Sequence, residues 1–337
     1  MISRNWLVAA GAVAALAFGV AACGGDDDGN GGSSDNGNGD SAELSGSVLI
    51  DGSSTVAPLS EPMGVLFAEE HADVDVSVGT SGTGGGFEKF CAGETDISDA
   101  SRVIGDDEIA ACESNGIDYE EVSVANDALS VVVHPDNPVT CMTVDQLNQI
   151  YGPDATATSW SEIDGLDAEF DADLQIFSPG ADSGTFDYFT EAINGEEGAQ
   201  RSKDVNVVGE DDNATVTGVA GSEGGIGYFG YSFFTENQDQ LKALEIENEE
   251  GDCVAPSEEA AQDGSYNPLG RQLFIYPSAQ ALEKPEVLEF VNFYIENVND
   301  VAADAGFIAL TDEQIAEAQA KVDSLTGGGS GTEEEGE

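Results

Sequence analysis

Three times this sequence ends an apolar run in a turn of Gly, Ser and Thr and passes straight into a helical pattern. Ser47–Ile50 lead into Asp51-Gly52-Ser53-Ser54-Thr55-Val56-Ala57-Pro58, after which Leu59, Met63, Leu66 and Phe67 recur at helical spacing. The alternating run Val74–Val78 leads into Gly79-Thr80-Ser81-Gly82-Thr83-Gly84-Gly85-Gly86, then Phe87-Glu88-Lys89-Phe90. Leu174–Phe177 lead into Ser178-Pro179-Gly180-Ala181-Asp182-Ser183-Gly184-Thr185, and Phe186, Phe189 and Ile193 continue as a helix. Such a junction aims free backbone N–H groups, the positive end of a helix dipole and hydroxyl donors at one point. Any one of these turns, taken alone, is better explained by a Ser or Thr that caps its helix. Three together would surround a small tetrahedral anion with donors.

Strands alternate with helices along the rest of the chain, and no repeat of 20–50 residues is present. Asp106–Ser114 reads as a helix ending at Asn115-Gly116, and Thr143-Val144-Asp145-Gln146 is a capping box that opens another. The apolar runs Glu121–Val124 and Ala128–Val133 are split by Asn126-Asp127, which marks a crossing between lobes. The glycine-rich aromatic run Gly224–Tyr231 is the expected return. The pattern is that of an α/β protein with mostly parallel sheets and two lobes.

Charge is the strangest global property: 9 Lys and Arg stand against 67 Asp and Glu, a net −58. Such a surface repels nucleic acid and anionic membranes and suits a high-salt habitat, where screening suppresses self-repulsion. It is not the composition of a disordered acidic chain, because 40% of residues are apolar and fall in regular patterns.

Arg4 precedes an apolar run from Trp6 to Val20, too short to span a membrane comfortably and well suited to a signal-peptide core. Val20-Ala21-Ala22-Cys23 resembles the lipobox of bacterial lipoproteins, which implies cleavage before Cys23, lipidation of its sulfur and anchoring outside the cytoplasmic membrane. Residues 24–40 form a flexible Gly/Asp/Asn/Ser tether, and residues 327–337 a similar acidic tail. Four cysteines remain, and an even number outside the cytoplasm suggests two disulfides. Three pairings are open. Cys91–Cys112 is the local choice, which leaves Cys141–Cys253. The spacings contain no CxxC pair, and His71 and His134 stand far from the cysteines, so no metal site is expected.

Taken in order, Gly52–Pro58, Gly82–Gly86, Asp96-Ile97-Ser98-Asp99-Ala100-Ser101-Arg102 and Pro179–Thr185 resemble the phosphate-binding lipoproteins of ABC phosphate importers, over about Leu44 to Leu325. The resemblance implies a type II periplasmic-binding-protein fold, two α/β lobes with the ligand cleft between them. It divides the chain into leader (1–22), tether (23–43), lobe I (44–126 and 229–326), lobe II (127–228) and tail (327–337). It also implies that Ser54, Thr55, Thr83, Ser183, Gly184 and Thr185 donate to phosphate, and that Asp99 accepts a hydrogen bond from its proton. Ser53, Ser101 and Asp182 stand behind these groups. Where well-known members carry an arginine, four residues before the Ser-Gly-Thr, this chain has Pro179. Arg102 is the expected substitute, since its fork suits phosphate oxygens, with Arg271 the second candidate.

The function implied is a monomeric, cofactor-free binding protein, anchored by Cys23 on the extracytoplasmic face, that hands inorganic phosphate to an ABC permease. Sulfate and molybdate are alternative ligands. A secreted phosphate-ester hydrolase is the alternative from another class, but it would need a nucleophile with a base, or a metal. No G-x-S-x-G elbow is present and neither histidine stands beside a nucleophile. The expectation is therefore not an enzyme.

Overall fold

The computed structural model describes residues 44–327, so the leader, Cys23, the tether and the tail beyond Gly327 lie outside the described residues. No described helix is long and apolar enough to cross a membrane. β1 (Gly46–Gly52), α1 (Ala57–Glu70) and β2 (Val74–Gly79) form the opening unit, followed by α2 (Thr83–Cys91), β3 (Ile97–Ala100) and α3 (Asp106–Asn115). β1 lies between β2 and β3, parallel to both. Val48 and Ile50 point into the core while Leu49 between them is exposed, the period-2 alternation of a strand. Proline stands in the first positions of α1, where its fixed φ suits a helix start and its missing N–H costs nothing.

β4 (Val122–Val133) is one strand of 12 residues, not two runs broken at Asn126-Asp127. The polar pair survives inside it because each side chain has its own partner. Asn126 bonds Gln314 and the Ala309 carbonyl, and Asp127 pairs with Arg271. A buried amide left unpaired would cost about 1–3 kcal/mol, enough to break the strand there. β5 (Cys141–Met142) and α4 (Val144–Tyr151) follow, the helix opened by the expected box: Thr143 N–H donates to Gln146 and Gln146 N–H to Thr143, at 2.9 and 3.1 Å. Then come β6 (Gln175–Ser178), α5 (Gly184–Asn194), β7 (Val205–Val207), α6 (Asp212–Ala220) and β8 (Gly225–Gly230). β6 is parallel to both β7 and β8.

After α7 (Tyr231–Asn237) the chain makes β9 (Lys242–Ala243), β10 (Glu245–Glu247), β11 (Cys253–Val254) and α8 (Glu258–Gln262). β12 (Gly270–Pro277), α9 (Ala279–Leu282), α10 (Pro285–Asp304) and α11 (Asp312–Gly327) complete it. The main sheet runs β2-β1-β3-β12-β4-β8-β6-β7, with β9 on the flank of β4. β12 is antiparallel to β3 and β4, and β4 is antiparallel to β8. The sheet is therefore parallel within each half and antiparallel at the crossing, more mixed than the sequence pattern suggested.

Two main cores flank the crossing. One gathers Val48, Ile50, Leu59, Phe67, Val122 and Leu273 with a helical stripe of α10, Val287, Phe290, Val291, Tyr294 and Val298. The other gathers Leu129, Val131, Leu147, Trp160, Phe189 and Tyr228. Leu244, Ile246, Tyr266 and Leu269 also pack in the second core. The stretch 229–269, expected in lobe I, thus belongs with the second core, and the chain returns on β12. The reason is pairing: β9 adds to β4, and β10 adds to β5. Cys141 is bonded to Cys253 within the second half, and Cys91 to Cys112 within the first.

The Cys141–Cys253 bond closes a separation of 112 residues. Replacing both cysteines by alanine should lower unfolding stability by about 2–5 kcal/mol. Denaturant titration at high salt checks this, and an unchanged midpoint would refute it.

Candidate functional site

The three Gly/Ser/Thr turns lie at the C-terminal ends of β1, β2 and β6, each at the start of a helix, α1, α2 and α5. At none of the three does an N-cap side chain hydrogen-bond the helix. The competing explanation, that these hydroxyls are caps, is therefore not what the structure shows. The first turns of α2 and α5 keep N–H groups with no intrahelical partner, whereas Ala57, Leu59 and Ser60 at the start of α1 donate to the Ser53 and Val56 carbonyls; Ser183 keeps its hydroxyl hydrogen.

The turns converge. A Cβ on Gly184 would lie 3.2 Å from Thr55 Oγ1, so the start of α5 is held close to the β1–α1 turn. Gly82 N–H donates to the Gly52 carbonyl at 2.9 Å, tying the second turn to the first. Gly52 has φ +148°, and a Cβ there would stand 2.0 Å from the Asp99 carbonyl oxygen. Thr83 Oγ1 accepts from Ser101 N–H at 3.2 Å and lies 3.1 Å from Ser101 Oγ.

The remaining expected site residues fall in distinct places. Ser53 is buried; its N–H donates to the Asp99 carbonyl and its Oγ accepts from Thr55 N–H at 3.2 Å. Thr55 thus spends its backbone donor on the turn and offers its hydroxyl instead. Ser54 is exposed, while Thr185 is half-buried on the first turn of α5. Asp182 is exposed, and the turn is closed without it, by Ser183 N–H donating to the Gly180 carbonyl at 3.1 Å.

Asp99, in β3, is fully buried, and neither carboxylate oxygen has a hydrogen-bond partner among the described residues. Burial pushes its carboxyl up to about 8; the adjacent Ser60 hydroxyl pulls the other way and the Asp51 charge adds to the rise. Ser60 is itself engaged with Tyr294 at 3.0 Å. A buried, unpartnered carboxyl costs stability and is the kind of group a ligand satisfies.

The two arginines differ. Both terminal nitrogens of Arg102 bond Glu108 at 2.8 Å, a bidentate pair, and its side chain is 41% exposed. Arg271 is 13% exposed and sits against the anion turns, 3.3 Å from Thr55 Oγ1. Asp127, its cross-strand partner, was marked from sequence only as part of the crossing, and Tyr188, whose ring lies under the guanidinium, was not singled out. The clue to Tyr188 was its place on α5, one turn beyond Gly184. Beside Arg271 a cavity of about 510 Å³ runs between the halves, lined by Ser101, Arg102 and Phe274 on one side and Tyr188 and Pro268 on the other.

Residues 38–298 match the model of the PBP superfamily domain. Protein SphX of Synechococcus elongatus is 44% identical over 265 residues, covering 78% of this chain and 77% of that protein. The phosphate-binding protein PstS of Staphylococcus saprophyticus is 39% identical over 295 residues, covering 86% and 89%. The chain belongs to this phosphate-binding-protein family of the PBP superfamily. A crystal structure described as a possible phosphate binding protein from Planctomyces limnophilus superposes with TM-score 0.78 at 40% identity, covering 84% of this chain and 99% of that one. The fold is the type II periplasmic-binding fold, two α/β lobes about a cleft. The family is one of solute-binding proteins rather than enzymes.

Because the Asp99 carboxyl is held above its unfolded value of 3.8, the fold is favoured below that value and loses stability as pH rises through about 8. Asp99→Asn should match the wild type near pH 4 and exceed it by up to about 5 kcal/mol above pH 9. Unfolding of the ligand-free protein across this range measures the difference. Parallel curves for the two proteins would show that Asp99 is not the buried acid.

Proposed function

We propose that this protein captures inorganic phosphate outside the cytoplasmic membrane, to which lipidated Cys23 anchors it, and delivers it as a monomer to an ABC-type import permease. The observation that supports this most is the meeting of three helix starts without side-chain caps beside an unpartnered buried carboxyl. Thr55, Thr83, Ser183 and Thr185 supply hydroxyls, Ser54 a further one from the rim, and Gly184 a backbone N–H. Asp99 shares the proton of phosphate. Ser53 and Ser101 hold the donating groups in place. Closure of the lobes on β4 and β12 then excludes water from the anion.

Neutral donors suit a chain this acidic. N–H and O–H groups satisfy phosphate oxygens without a strongly positive surface, and high salt screens the surrounding carboxylates. The names of the relatives above, a phosphate-binding protein among them, support phosphate over sulfate or molybdate. The described site has no paired nucleophile and base, so hydrolysis of phosphate esters is the weaker reading.

Selectivity follows from a single proton. While Asp99 is protonated it can donate to sulfate as well as to phosphate. Once ionised, it faces sulfate as an unpaired like charge, but still accepts from a phosphate that keeps its own proton. The preference for phosphate over sulfate should therefore widen as pH rises through about 8. Calorimetry with both anions at pH 6 and pH 9, in high salt, checks this, and equal binding at both would remove Asp99 from the site. Ser183→Ala with Thr185→Val should weaken phosphate binding about 100-fold while leaving the protein folded. Unchanged affinity would refute the site.

A further inference from the structure

Arg271 occupies the second position of β12, directly opposite Asp127 of β4, on the pair of strands that joins the lobes. Its guanidinium has five N–H groups and can accept nothing. Nε donates to Asp127 Oδ2 at 3.2 Å, Nη1 to the Ser101 carbonyl at 3.3 Å, and Nη2 to Thr55 Oγ1 at 3.3 Å. One N–H remains on each terminal nitrogen. Since Thr55 accepts from the arginine, its own hydroxyl hydrogen is free to donate elsewhere. The flat face of the guanidinium lies 3.4 Å from the centre of the Tyr188 ring. Tyr188 is fixed in turn by donation to the Pro268 carbonyl at 2.8 Å.

These contacts divide cleanly. Ser101 and Thr55 belong to turns of the first lobe, Tyr188 to α5 of the second, and Asp127 to the crossing. Arg102 lines the same cavity but spends a hydrogen bond from each terminal nitrogen on Glu108. Glu108 also accepts from Gly105 N–H at 2.8 Å.

We infer that Arg271 is the cation that meets the anion in this cleft and, through its stack on Tyr188, the latch that holds the two lobes together. The anion-meeting role rests on the phosphate reading above; the latch does not. Arg271 makes good from the crossing strands the charge absent at Pro179. Because it touches both lobes, the group that holds the ligand also holds the closed state. A cation stacked on an aromatic face out of water is well suited to this, and the planar fork cannot be replaced by a lysine ammonium.

Two measurements on the full chain in high salt test the two roles. In phosphate calorimetry, Arg271→Gln should bind about 100-fold more weakly and Arg271→Lys about tenfold, with Arg102→Gln within about threefold of wild type. Small-angle scattering of the ligand-free proteins should show a larger radius of gyration for Arg271→Gln and Tyr188→Leu. Tyr188→Phe, which keeps the ring, should scatter like wild type. Circular dichroism shows which variants are folded, and Arg271→Lys and Tyr188→Phe keep the test decisive if the harsher changes unfold the chain. Phosphate affinity of Arg271→Gln within threefold of wild type would overturn the anion-meeting role. An unchanged radius of gyration in both Arg271→Gln and Tyr188→Leu would overturn the latch. A wild type silent to phosphate would refute the phosphate reading and with it the anion-meeting role, and scattering alone would then decide the latch.

Discussion

A chain with 67 carboxylates and 9 cations repels any anion that approaches it, and the rest of the site is arranged around that fact. Donors with a full charge would have to outweigh the surrounding field, and there are few to spend. The solution in the structure is local: N–H groups at the starts of α2 and α5, where peptide dipoles point the right way regardless of what the surface carries. Such donors are fixed by backbone geometry and lose nothing to reorganisation when a ligand arrives. They act over a few ångströms, a distance at which salt screening does little, whereas the repulsion from distant surface acids is long-range and screened efficiently. High salt therefore removes more of the opposing force than of the attractive one.

The crossing strands carry the second constraint. β4 must run unbroken from one core to the other, so the polar residues at its middle cannot be left to water. Asn126 and Asp127 answer this with dedicated partners from elements far away in sequence, Gln314 and Arg271. Burial pushes the Asp127 carboxyl up, and the Arg271 guanidinium beside it works against that rise. The same pairing that makes the strand tolerable is what aims Arg271 at Thr55.

Much of this was legible in the sequence, and the line between what was and was not is physical. The three turns could be read because strand, turn and helix are contiguous and their periods differ. The capping box at Thr143 was legible for the same reason. Arg102 looked the better arginine because it is three residues from Asp99, yet Glu108, one helical turn into the next helix, claims it. Arg271 stands 144 residues from its partner Asp127, a distance over which no local pattern speaks. The break expected at Asn126-Asp127 was wrong about the strand, since polarity marks a turn only where nothing comes to pair with it. The return to the first lobe was placed early because the aromatic run of β8 looks like a crossing. The pairing of β9 and β10, with the Cys141–Cys253 bond, keeps the next forty residues in the second lobe.

One feature of the layout bears on how the molecule is made. Apart from Ile308, the second core draws on one continuous stretch of chain, from Ala128 to Leu269. The first core is split, with Val48, Leu59 and Phe67 near the beginning and Val287, Phe290, Tyr294 and Val322 near the end. A chain that emerges N-terminus first can therefore finish its second lobe while the first is still an open half-sheet with its apolar face uncovered. The lobe synthesised first is the lobe that folds last, and until α10 arrives its exposed strands are the part of the nascent protein most in need of a chaperone.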